Sequence, residues 1–150
     1  MENNWKFHHV TVVVRDMDKA IEYYQSLGTA TFQPEFTVVS SQITNLKVYG
    51  KTPDTEFKIK VKVVKIGSLT YEFLEPIEGQ SVLKEFLDSK GEGIYSVAFI
   101  VDDLNKETTK LVEKGFPVIL SGIAPDGDAL AYFDTRKVGG VVIELCELAK

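Results

Sequence analysis

HVTVVVRD, residues 9 to 16, and SVAFIVDD, residues 96 to 103, superimpose residue for residue, and the match continues without a gap until Gly28 meets Gly115. The offset stays at 87 residues throughout, from 9 to 96 and from 28 to 115. Each copy is a β-branched alternating run, then an Asp suited to capping a helix, then an amphipathic stretch stopped by Gly. Each copy is therefore a strand followed by a helix. Ala20, Ile21, Tyr24 and Leu27 form the apolar stripe of the first helix, and Leu104, Thr108, Leu111 and Val112 that of the second. These stripes read as core.

A second repeat closes each half. GSLTYEFLE, residues 67 to 75, matches GGVVIELCE, residues 139 to 147, and both read as a tight turn followed by a strand with a glutamate among apolar neighbours. Further strands are expected at about 30–39, 57–66, 117–121 and 129–134, with Gly67-Ser68 turning a hairpin. Each half then reads βαβββ. Residues 40–56 exceed what a simple connection needs and are expected to supply a loop or lid. A helix at about 80–90, with Val82, Leu83, Phe86 and Leu87 as its buried stripe, joins the halves. The expectation is one domain over 1–150, with module one at about 5–76 and module two at about 93–148.

Composition supports a single globular unit: 150 residues, 44% of them hydrophobic, suffice for one core. With 17 basic against 22 acidic residues the net charge is −5, and no Lys/Arg run could follow a phosphate backbone, so nucleic acid is not an expected partner. No apolar run is long enough to cross a bilayer, and MENNWKFHH has no signal-peptide pattern, so no membrane association is expected and the expected compartment is the cytoplasm. Cys146, the one cysteine, cannot form an internal disulfide and reads as a small strand residue.

Strand alternation sorts the polar residues by face. His9, Thr11 and Val13 share one face of their strand, and Val10, Val12 and Val14 pack under the helices on the other. Glu72 stands opposite Tyr71 and Phe73, and Glu144 opposite Ile143 and Leu145. Ser96 occupies the fourth matching position. If the sheets curve together, His9, Glu72, Ser96 and Glu144 meet in one concave cavity, whereas alternation turns His8 and Tyr95 away.

FHHV, GSLTYEFLEP, GEGIYSVAF and DALAYFDTRKVGGVVIELCE together resemble the vicinal oxygen chelate superfamily, the glyoxalase, bleomycin-resistance and dioxygenase proteins. The likeness spans nearly the whole chain and is strongest to the methylmalonyl-CoA epimerase and glyoxalase I-like branch. It implies an α+β fold in which two βαβββ modules form a curved, partly open, eight-stranded barrel-like sheet with helices outside. It implies a homodimer and a small-molecule substrate. It also places metal ligands at the four repeat positions, so the implied ligands of a divalent ion (Zn, Co, Ni or Mn) are His9, Glu72 and Glu144, with Ser96 where a His or Glu is usual. A serine hydroxyl is a poor ligand beside imidazole or carboxylate. The three residues either hold an ion with waters completing its shell or line a metal-free polar cavity.

The implied chemistry is proton abstraction beside a carbonyl, as in an epimerase or a lactoylglutathione lyase-like isomerase. Glu144 would be ligand and proton carrier, and Glu72 second ligand and opposite-face base. A dioxygenase would need two His and a carboxylate for iron, a set that Ser96 breaks. The alternative of a different class is a non-catalytic binding protein of the antibiotic-sequestering type; a concave protein-interaction surface ranks below both. Lys58, Lys60, Lys62 and Lys65 are read either as an electropositive wall for a CoA, carboxylate or glutathione substrate or as a solvated strand face. Tyr132 and Asp134 are further candidates for the cavity mouth.

Overall fold

A computed structural model describes residues 4–150; Met1 to Asn3, where the reading of the N-terminus begins, lie outside the described residues. In chain order the elements are β1 (Lys6–Val13), α1 (Met17–Gln25), β2 (Ala30–Phe32), β3 (Phe36–Val39), β4 (Thr44–Val48), β5 (Lys58–Ile66) and β6 (Leu69–Glu78). There follow α2 (Val82–Lys90), β7 (Gly93–Ile100), α3 (Leu104–Glu113), β8 (Val118–Ile123), β9 (Ala129–Phe133) and β10 (Val142–Glu147). The class is α+β as expected, with ten strands among the described residues where the repeats suggested eight. The two additional strands have separate origins. Gln33, Pro34 and Glu35 split the run at 30–39 into β2 and β3, consistent with a proline being unable to donate to a ladder. The other is β4, inside the segment expected to be a loop or lid.

Contacts divide the chain into two compact units. The first comprises His9–Ser40 and Thr55–Tyr95; the second is built on Ser96–Lys150 and takes in Ser41–Asp54 and the described residues before His9. In the first unit the strand order is β2–β5–β6–β1, with β3 also on β5. Parallel pairing sets Val10 against Tyr71 and Thr11 against Glu72. Val14, Met17, Val64 and Phe73 form its core, with Val12, Ile21, Tyr24 and Tyr71 packed around them. Leu27 lies past the end of α1 and is half exposed, so the expected stripe stops one turn short.

In the second unit the order is β7–β10–β9–β8–β4. Its core is Val101, Leu104, Ala131, Phe133 and Leu145, with Phe99, Leu111 and Ile143 against it. Val112, expected in the stripe, is half exposed. The repeat is visible in the caps: Asp16 accepts from the Lys19 N–H at 3.1 Å and Asp103 from that of Lys106 at 2.9 Å. Gly28 and Gly115 both carry positive φ just past their helices, a conformation that glycine adopts without a Cβ penalty.

The segment read as a lid is tied down instead. Ser40 donates its N–H to the Phe57 carbonyl at 3.0 Å and accepts the Phe57 N–H on its Oγ at 2.9 Å. Both residues are buried. Between those ends β4 pairs antiparallel with β8, Thr44 against Ile123 and Val48 against Leu120. A strand from the first half of the sequence thus completes the sheet of the second unit.

Candidate functional site

In the first unit β1 and β6 place His9 and Glu72 on the face turned away from α1, as alternation requires, because Val12, Tyr71 and Phe73 occupy the α1 side. His9 Nε2 lies 2.5 Å from Glu72 Oε2. The imidazole is buried and the carboxylate about a quarter exposed, so the pair is sealed at the histidine end and open at the glutamate end. Thr11 continues the same face. His8 is exposed, and Tyr95 packs edge-on against Phe86 of α2 at 5.3 Å, so neither joins the pair.

In the second unit β7 and β10 run parallel, with Val142 against Ser96 and Glu144 against Ala98. Glu144 and Ser96 face away from α3, opposite Ile143 and Leu145. Ser96 Oγ donates to Glu144 Oε2 at 3.2 Å, and Cys146 Sγ donates to Glu144 Oε1 at 3.5 Å. All three are buried: Ser96 is 0% exposed and Glu144 5%. A buried carboxylate without donors is costly, and here each oxygen has one. The role of Cys146 was missed in the sequence, where it read as a small strand residue. The signal was its spacing: two residues from Glu144 on one strand means the same face.

The remaining candidates sort themselves by register. Tyr132 of β9 is the Cα partner of Glu144, on its face. Asp134 is engaged by Arg136 through two hydrogen bonds of 2.9 Å, and that guanidinium holds its carboxyl below the ordinary range. Lys60 and Lys62 of β5 pair with Glu75 and Phe73, on the α1 side of the sheet, the face away from Glu72; Lys58 sits at the bulged end, where its ammonium is 3.2 Å from Glu78. Lys60 also forms an ion pair, with Glu75 at 3.6 Å. The four-lysine wall therefore does not exist as one surface. Lys65 alone pairs with Thr70, on the Glu72 face. A cavity of about 580 Å³ in the second unit lies elsewhere, around the first turn of α3, with Leu104, Asn105, Thr108, Glu147 and Lys150 in its lining.

The donors present meet the divalent ion that the resemblance implies only in part. His9 and Glu72 offer an imidazole nitrogen and a carboxylate oxygen side by side, a pair that suits such an ion in type. Ser96 engages Glu144 rather than presenting a ligand. Among the described residues no three His, Cys, Asp or Glu side chains form a single group.

A family model described as the Glyoxalase/Bleomycin resistance protein/Dioxygenase superfamily matches residues 8–133. The mitochondrial methylmalonyl-CoA epimerase of Bos taurus is 26% identical over 147 residues, covering 95% of this chain and 74% of that protein. The crystal structure of methylmalonyl-CoA epimerase from Mycobacterium tuberculosis superimposes with a TM-score of 0.73 at 23% identity, over 100% of this chain and 94% of the other. A Streptomyces coelicolor methylmalonyl-CoA epimerase in complex with 2-nitronate-propionyl-CoA gives 0.72 at 20% identity, over 97% and 98%.

Proposed function

This chain belongs to the glyoxalase/bleomycin resistance/dioxygenase superfamily, and from that premise we propose that it abstracts a proton beside a carbonyl, as an epimerase or isomerase of a small acyl thioester. The observation that carries the reading is that repeat-related strands each hold a carboxylate against defined polar partners: Glu72 beside the His9 imidazole, Glu144 hydrogen-bonded by Ser96 and Cys146. Members of the superfamily commonly use divalent metals. In this reading His9, Glu72 and Glu144 would hold the ion, assigned from their places in the repeat, and the ion would polarise the carbonyl oxygen.

Glu144 then receives the proton. The C–H bond breaks, its electron pair moves into the enolate, and the proton resides on a carboxylate oxygen of Glu144. The Ser96 and Cys146 donors keep the carboxylate from swinging, which fixes the direction in which it presents that oxygen. If Glu72 starts the cycle protonated, its own proton goes to the opposite face and inverts the carbon, leaving Glu72 ionised and Glu144 protonated until exchange with solvent resets both. With an α-hydroxy carbonyl substrate, return of the proton to the neighbouring carbon of the enediolate is an isomerisation of the glyoxalase type. The epimerase relatives support an acyl-CoA as substrate, and a homodimer in the cytoplasm remains part of the proposal.

The test is deuterium wash-in at the α-carbon of methylmalonyl-CoA in D₂O, followed by NMR, with and without added Co²⁺, Mn²⁺, Ni²⁺ or Zn²⁺. Exchange that the protein accelerates and Glu144→Gln abolishes is the expected result. No acceleration under any of these conditions sinks the reading. One observation favours a second one: Ser96 already satisfies Glu144, as befits a cavity that binds without reacting. Saturable binding of the thioester with no exchange would select it.

A further inference from the structure

The face of the first unit that carries His9 and Glu72 has a second polar feature, a row that crosses four strands. Thr31 of β2 pairs with Lys65 of β5, and Lys65 pairs with Thr70 of β6. Since Val10 of β1 is level with Tyr71, the preceding residues His9 and Thr70 are level as well. Paired residues point to one side of a sheet, so Thr31, Lys65, Thr70 and His9 form one line on one face. Neighbouring strands are about 4.8 Å apart, which anchors Lys65 about 10 Å from His9. Lys65 is exposed and has no carboxylate partner among the described residues, in contrast to Lys58 and Lys60.

One row further along, level with Glu72, the Thr11 hydroxyl points to the same face. It is wholly buried and has no hydrogen-bond partner among the described residues. A native fold leaves a buried hydroxyl unmet where a ligand or an ordered water completes it. The face therefore combines an unmet inner group beside Glu72 with an unneutralised cation at its outer end.

We infer that Lys65, flanked by Thr31 and Thr70, is the specificity-determining residue of this face and binds an oxyanion of the ligand whose reacting end lies at His9 and Glu72. The oxyanion is a carboxylate or a phosphate. An ammonium with hydroxyls on both sides offers charge-assisted and neutral hydrogen bonds to either. This inference rests on the proposed thioester chemistry for the identity of the ligand, and its test is separate from catalysis.

Calorimetric titration with two probes distinguishes the sources: coenzyme A supplies phosphates without an acyl carboxylate, and methylmalonyl-pantetheine supplies the carboxylate without the nucleotide phosphates. Lys65→Ala is expected to weaken binding of one probe about tenfold, with Lys65→Arg restoring most of it and Lys62→Ala, on the opposite face, changing it less than about twofold. The affected probe names the anion. Equal losses in Lys65→Ala and Lys62→Ala, no loss in either, or no binding of either probe by the wild type overturns the inference. Deuterium exchange on the same samples is scored independently: a Lys65-dependent affinity without exchange leaves the oxyanion site standing and removes the catalytic reading.

Discussion

Glu72 and Glu144 occupy equivalent places in the two sequence repeats, yet the chain surrounds them differently. Glu72 faces an imidazole, which can hold or release a proton and can serve as a metal ligand. Glu144 faces a hydroxyl and a thiol, which donate hydrogen bonds to it. One is partly open to solvent, and the other is sealed. The duplicated framework fixes where a carboxylate sits, while the residue on the neighbouring strand or two positions along its own fixes what that carboxylate can do.

The sharpest way to break this comparison is to neutralise each carboxylate in turn. Glu144→Gln should lower α-proton exchange by about 10² or more, as expected for loss of a positioned proton carrier, and Glu72→Gln by less if it acts only in return. Rates of deuterium wash-in for the two variants decide this, and equal losses would make the halves symmetric. Next, Ser96→His replaces the hydroxyl by a ligand. Binding of Co²⁺ or Zn²⁺, followed by the upward shift in melting temperature with metal concentration, should tighten at least tenfold. A variant that folds and binds no better would show that the second unit has lost more than one ligand.

Cys146→Ala removes one donor from Glu144 and leaves a small void. A loss of about 1 to 3 kcal/mol in denaturant unfolding is expected, with Cys146→Ser recovering part of it by restoring a donor. Unchanged stability in both would mean that the thiol contact contributes little to holding the carboxylate. The smallest effect concerns Glu107 of the second unit, which accepts from Lys110 Nζ at 3.0 Å and from Trp5 Nε1 at 3.1 Å. Lys110 is the principal cause of a carboxyl held below its ordinary value of 4.5, and Trp5 adds to it. A depressed folded value means that the contact contributes stability above about 4.5, lost only as pH falls through the lower folded value. Emission from Trp5, the single tryptophan, should therefore hold steady as pH passes 4.5 and shift below it; a transition at or above 4.5 would contradict the contact.

Much of this was legible because alternation and repetition are local. Val12, Tyr71 and Phe73 under α1, and Ile143 and Leu145 under α3, fall where period two puts them, and His9, Glu72, Ser96 and Glu144 face the other way. Pairing across strands was not legible. Lys58, Lys60 and Lys62 of β5 alternate in the sequence and Lys65 falls out of phase with them, but only the register of β6, with Lys62 against Phe73 and Lys65 against Thr70, shows which phase shares a face with Glu72. Thr44–Val48 has too few apolar residues to announce a strand, and its partner β8 lies far along the chain. Cys146 was visible in position but not in role, since a thiol two residues from a glutamate means nothing until the carboxylate is known to be buried.

The pinned excursion at Ser40 and Phe57 has a consequence for how the protein is made. Synthesis delivers β4 early, yet its partner β8 follows only after all of the first unit and α3 have been built. During that interval β4 exposes unpaired backbone groups, a template for a neighbouring chain on the same messenger. The first unit meanwhile has all its own strands once residue 95 has emerged. A nascent chain whose emerged part ends between residues 95 and 118 would thus carry one finished half and one orphan strand, so chaperone demand should peak in that window and fall once β8 leaves the ribosome.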